Sequence, residues 1–195
     1  MLKYLRLGTL PAMVVVIAGC SGGLSLDAAK RLEGTGDFQG ALPQYDTYIK
    51  EKPKDVEGYR GKARCQQKLG DTKGAEQTLR DGTKAVPGDL DAKTELCTLF
   101  LDRKDYTEAK EVLNEGYMLD SKNLGIVSGL ARLEDDQGNY EGAVEKYKEA
   151  LVLDPNNIDL HAKLAHTYGL LNKFEDAKKE LAEVDRIKLQ PKKPQ

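Results

Sequence analysis

The 195-residue sequence has no tryptophan and only 6% aromatic residues, so small and aliphatic side chains must supply most of any core. Three cysteines are too few to frame a fold of this length with disulfides. The two histidines, His161 and His166, stand five apart, whereas paired ligands on one helical face stand four apart. Basic and acidic residues nearly cancel, with a formal net charge of −2 and a pI near 5.8. That balance disfavours a broad nucleic-acid-binding face, and no nucleic-acid partner is expected. Gly34, Gly36 and Gly40 have the wrong spacing for a dinucleotide fingerprint and follow helical rather than strand sequence. Asp135-Asp136 lacks further ligands at the spacing of a cation-binding loop. Neither a Ser/His/Asp nor a Cys/His arrangement suggests itself, so no catalysis, cofactor or metal is expected. What is present is 39% hydrophobic and 32% charged residues, with the apolar positions recurring in register. This pattern argues against disorder and for a helix-rich chain with a core.

The N-terminus reads as an address. Lys3 and Arg6 precede an apolar stretch from Leu10 to Ala18, far short of the about 20 residues that a spanning helix needs. A short apolar run behind basic residues reads as a secretory signal peptide over residues 1–19. It ends in Ile17-Ala18-Gly19-Cys20. Small residues before a cysteine resemble the lipobox of bacterial lipoproteins, which implies cleavage before Cys20 and lipid on its sulfur. The alternative is ordinary cleavage after Ala18. Under the lipoprotein reading the bilayer is one partner, held through Cys20, and residues 20–23 are a short tether. Ser21 in place of Asp resembles the outer-membrane sorting default. The implied location is the bacterial cell envelope, at the outer membrane facing the periplasm.

From Gly22 to Pro191 the chain repeats every 34 residues without insertion, in units 22–55, 56–89, 90–123, 124–157 and 158–191, leaving a basic tail at 192–195. With Gly22, Val56, Leu90, Leu124 and Ile158 as position 1, position 20 is always alanine: Ala41, Ala75, Ala109, Ala143 and Ala177. Position 8 is always small: Ala29, Ala63, Cys97, Ala131 and Ala165. Position 24 is always large: Tyr45, Leu79, Leu113, Tyr147 and Leu181. Position 15 is Gly36, Gly70, Gly138 or Asn172, with Lys104 departing, and Pro53, Pro87 and Pro155 close their repeats. Apolar residues at positions 4, 7, 8 and 11, then 17, 20, 24 and 27, make two amphipathic stripes, hence two helices of about 13 residues per unit. Pro43 should bend the second helix of its unit. Asp185 and Arg186 fall where the last unit would meet a successor, so that unit reads as its own cap.

This pattern resembles the tetratricopeptide repeat, which shares the period and the small, aromatic, alanine and proline positions. The resemblance implies an all-α fold, a right-handed superhelical solenoid of five helix pairs. It also implies a concave groove lined by positions 2, 5, 9, 12 and 13 of each first helix. The candidate groove residues are then Lys30, Arg60, Arg64, Lys68, Thr98, Asp102, Arg132, Asp135 and Asp136. Arg60, Arg64 and Lys68 are spaced by four, and like charges at that spacing disfavour one another in a helix. One reading is a solvated face. The other is a polarised groove that lays the acidic part of an extended or helical peptide over those three cations. Lys30, Arg64, Thr98, Arg132 and His166 at position 9 include no asparagine, so the carboxylate clamp of one subset of the family is not supported. Cys65 and Cys97, on successive first helices, are either two buried thiols or a disulfide between stacked helices.

The functional expectation is a lipid-anchored, non-catalytic protein-interaction scaffold in the envelope, serving assembly of a pilus, a secretin or outer-membrane proteins. The alternative is a small-molecule or glycan-binding accessory subunit of an envelope enzyme complex, using aromatic residues such as Phe100 and Tyr168.

Overall fold

The structure, a computed structural model, describes residues 21–189. Cys20, the segment before it and the basic tail lie outside the described residues. Ten helices follow one another: α1 (Ser21–Gly34), α2 (Phe38–Glu51), α3 (Val56–Lys68), α4 (Thr72–Ala85), α5 (Leu90–Arg103), α6 (Tyr106–Leu119), α7 (Leu124–Asp136), α8 (Tyr140–Leu153), α9 (Ile158–Leu170) and α10 (Phe174–Leu189). Odd-numbered helices from α3 onward begin at repeat position 1, and even-numbered helices begin at position 17. Helix α1 already begins at Ser21, so residues 21–23, read above as tether, form its first turn. The first N–H groups of a helix lack intrahelical partners in any case, so the terminal turn tolerates the weak helix formers Gly22 and Gly23.

Each boundary has a local cause. Asp37, Asp71, Asp89, Asn123, Asn139 and Asn157 cap their helices by accepting the N–H three residues on. Asp105 makes no such bond, because Arg103 holds its carboxylate at 2.8 Å. Between paired helices the chain turns through one left-handed residue: Gly36, Gly70, Lys104, Gly138 and Asn172 all have positive φ. The following N–H reaches back across the turn, as from Asp71 to the Gln66 carbonyl at 2.8 Å and from Asp105 to the Phe100 carbonyl at 2.8 Å. Lys104, the exception to the glycine pattern, adopts the same conformation at φ 63°. Pro43 lies inside α2, which continues through it.

The small positions are where the paired helices meet. Ala29, Ala41, Ala75, Ala109, Ala131 and Ala143 have no exposed surface, and the large position-24 residues Tyr45, Leu79, Leu113 and Tyr147 pack beside them. Consecutive helices pack against each other throughout, and the first helices also touch along one side, α5 and α7 most extensively. Gly125 permits that approach, since a Cβ there would stand 2.7 Å from Thr94 Oγ1 of α5. At the last unit Asp185 and Arg186 are exposed, in line with a polar end. Phe174 and Leu181 are nevertheless 59% and 51% exposed, so the face is mixed rather than fully polar.

Lys104→Gly is expected to raise stability by about 0.5 kcal/mol. Relief of the left-handed backbone, about 1–2 kcal/mol, is partly offset by the greater freedom of glycine in the unfolded chain. Gly70→Ala is expected to lower it by about 1 kcal/mol. Urea denaturation checks both, and a lower midpoint for Lys104→Gly contradicts the account.

Candidate functional site

The first helices place the nine candidate residues along one side of the stack, but the structure gives the cations different neighbours from those expected. Arg60 donates through Nε to Glu95 Oε1 at 2.9 Å and through Nη1 to Asp91 Oδ2 at 3.0 Å. Arg64 donates through Nε to Glu33 Oε1 at 2.8 Å and lies 3.4 Å from Glu57 and 3.8 Å from Glu95. Lys30 reaches Glu57 at 3.3 Å. Tyr45 donates its hydroxyl to the second oxygen of Glu33. Helices α1, α3 and α5 are thus joined by one half-buried lattice of alternating charge. The acidic groups that make the Arg60–Arg64 stripe tolerable belong to the protein itself. Of the three stacked cations only Lys68 is exposed and outside any ion pair among the described residues.

The lattice perturbs its members in opposite directions. Burial alone would raise the Glu33 carboxyl, but hydrogen bonds from Arg64 and Tyr45 and the charges of Arg64 and Lys30 hold it below its ordinary 4.5. For Glu95 burial prevails over the attraction of Arg60 and raises the value. Burial works against the charge of Arg60 and Arg64, and their carboxylate partners more than reverse it, so both are raised.

The remaining candidates sit further along. Arg132 of α7 bonds Asp102 of α5 at 2.7 Å and lies 3.4 Å from Asp136 in its own helix. Asp135 turns toward α9 and accepts from the buried hydroxyl of Thr167 at 3.1 Å. Thr98 donates to the Thr94 carbonyl at 2.9 Å. Thr98 and Arg132 line a pocket of about 350 Å³ where α5, α7 and α9 converge, with Leu101, Leu124, Leu160 and Cys97 among its apolar walls.

Several residues escaped sequence reasoning. Glu33 and Glu95 lie 31 and 35 residues from the arginines they bind. That is one period give or take a turn, so a search for opposite charges one unit away would have found them. Cys65 and Cys97 are both free and buried, in different core clusters. Burial pushes their thiols up to about 11 and about 12. Phe100 is fully buried and Tyr168 nearly so. Arg80 and Arg103 flank the Phe100 ring at 5.0 and 5.6 Å, and Lys148 lies 5.6 Å from the Tyr168 ring. These aromatic faces are therefore not available to a sugar or small molecule. Among the described residues no group of three or more His, Cys, Asp or Glu is placed to hold a metal ion, and no helix is long and apolar enough to cross a membrane.

The fold and this groove define a right-handed solenoid of helix pairs, a class that offers a concave surface rather than an enclosed site. The TPR repeat family matches residues 134–172, and the Tetratricopeptide repeat family matches residues 32–96. The chain belongs to the tetratricopeptide repeat proteins. Among curated proteins nothing matches the sequence. Solved structures similar to it include MamA from Desulfovibrio magneticus RS-1, 19% identical with a TM-score of 0.73, covering 90% of this chain and 99% of that one. A tetratricopeptide repeat protein from Parabacteroides merdae ATCC 43184 is also 19% identical with a TM-score of 0.75, over 90% and 68% of the two chains. A thermophilic TPR protein of Thermus thermophilus is 20% identical with a TM-score of 0.69, over 84% and 89%. At these identities the likeness is one of fold.

The two glutamates separate by variant and by pH. The contribution of Glu33 is complete above its ordinary value and is lost as pH falls through its lower folded value. Glu95 has the opposite sign: its charge is disfavoured by folding at neutral pH, and that penalty is relieved as pH falls through its raised value. Glu33→Gln is therefore expected to cost about 1–2 kcal/mol at neutral pH and Glu95→Gln less than about 1 kcal/mol. Urea unfolding at pH 7 and about pH 3.5 should show the gap between the variants narrowing in acid. A larger neutral-pH loss for Glu95→Gln contradicts the assignment.

Proposed function

We propose that the protein is a lipid-anchored, non-catalytic scaffold of the bacterial cell envelope that holds a protein partner along its concave face, in the assembly of an envelope machine such as a pilus, a secretin or the outer-membrane protein apparatus. Tetratricopeptide repeat proteins bind protein partners, and that general role is common ground. The observation that carries the reading here is the open pocket where α5, α7 and α9 converge, on the face where Arg60 and Arg64 are already paired within the lattice. Such a surface recognises a segment by shape and by the few polar groups left unpaired. The envelope part of the proposal rests on Ile17-Ala18-Gly19-Cys20 behind a basic, apolar leader. Three acyl chains on Cys20 give a stable anchor where a single chain does not.

Reversing Arg60 or Arg64 would be a poor test, since it would set like charges against Glu33, Glu57 and Glu95 and disturb the stack. Two measurements serve better. Cys20→Ser is expected to move the protein from the membrane fraction to the soluble fraction, and continued membrane association contradicts the anchor. Crosslinking in intact cells, followed by identification of what is attached, is expected to return one recurring envelope protein. Attachment of none removes the scaffold reading.

A further inference from the structure

We propose that the outer face of α10 docks on a second copy of this chain, the two helices running antiparallel about a two-fold axis beside Leu181. The surface lies at the end of the stack, away from the concave face, and the inference is independent of the scaffold reading above.

Helix α10 closes the stack and packs on α9. Its inner side is marked by the buried Val184 and by Glu180, which stands 2.6 Å from Nδ1 of His161 in α9. The outer side carries Phe174, Lys178, Leu181, Asp185 and Leu189, three or four residues apart and therefore on one stripe. Its apolar members Phe174, Leu181 and Leu189 are 59%, 51% and 84% exposed. At a solenoid end that faced water alone these positions would be polar.

The order of the five residues identifies the occupant. In a pair related by a two-fold axis the same patch serves both sides, and every contact off the axis occurs twice. With the axis between Leu181 and Ala182, Phe174 of one copy faces Leu189 of the other, Lys178 faces Asp185, and Leu181 meets its own equivalent. Apolar meets apolar and cation meets anion along the whole stripe. Sliding one copy by a turn sets Lys178 against Leu181 in one direction and against Leu189 in the other. A parallel pair stacks each charge on its like. The charges are available to such a neighbour. Asp185 is exposed and makes no ion pair among the described residues, and Lys178 holds only the exposed Glu175 at 2.8 Å.

A helix of 16 residues offers a strip about 24 Å long, small beside a standard interface, so half-association at on the order of 10–100 µM is expected. Sedimentation equilibrium of the full-length Cys20→Ser chain tests this, since its remaining thiols, Cys65 and Cys97, are buried. Lys178→Asp and Asp185→Lys should each weaken self-association about tenfold by setting like charges face to face. Mixing the two variants, or combining both changes in one chain, should restore it, because opposite charges then face each other again. Under mild oxidation Leu181→Cys should give a disulfide-linked dimer, its two copies meeting at the axis. Phe174→Cys should not, since its two copies stand more than about 20 Å apart along the pair. A monomer at all concentrations up to about 300 µM overturns the inference and leaves the face to a different protein. Self-association indifferent to both charge variants, no recovery on mixing them, no crosslink through Leu181→Cys, or one through Phe174→Cys overturns it equally.

Discussion

The close approach of the two helices in each unit is the constraint on which the rest of the molecule depends. It exists because position 8 of the first helix and position 20 of the second carry no side chain larger than that of cysteine. With the backbones drawn together there, the large residue at position 24 has one place to go, between its own partner helix and the next unit. Tyr45, Leu79, Leu113 and Tyr147 are accordingly buried. Leu181, with no helix packed beyond it among the described residues, is 51% exposed. The 34-residue period is the bookkeeping of this contact: any insertion would shift every later small residue off the crossing point. The stack follows as a sum of pairs and interfaces.

That geometry decides what the concave face can be. Setting the first helices side by side brings Arg60 and Arg64 within reach of Glu33, Glu57 and Glu95 from three helices. A row of cations that looks like a ligand site when read along one helix is, across helices, a fastening between units. Partly buried pairs of this kind contribute through geometry and specificity more than through raw attraction. The open pocket lies further along the same face, where α5, α7 and α9 converge and Gly125 and Gly129 form part of its wall.

The sequence reading reached the fold class, an all-α solenoid of paired helices of about 13 residues, because that needs only the period and the two amphipathic stripes of each unit. Even the exception at Lys104 kept the turn, because the left-handed conformation is required by the chain path and lysine adopts it at a cost. The site was less legible for a physical reason. Periodicity along one helix reports which residues share a face, but not which charge faces them from the neighbouring unit. Glu33 and Glu95 therefore stayed hidden, though their offsets of 31 and 35 residues carried the information. Phe100 and Tyr168 looked like available aromatics until burial removed them. Cys65 and Cys97 could be resolved only by coordinates, which place them as separate thiols.

The architecture stands or falls on the small crossing positions, and paired substitutions measure them directly. Ala143, fully buried in the fourth unit, and Ala177, only partly covered in the fifth, occupy the same repeat position. Guanidinium unfolding of Ala143→Leu should show a loss of about 1–3 kcal/mol from overpacking, against less than about 1 kcal/mol for Ala177→Leu. Equal losses at the two sites, or full tolerance of leucine at position 143, would contradict the claim that close helix approach at these alanines sets the architecture.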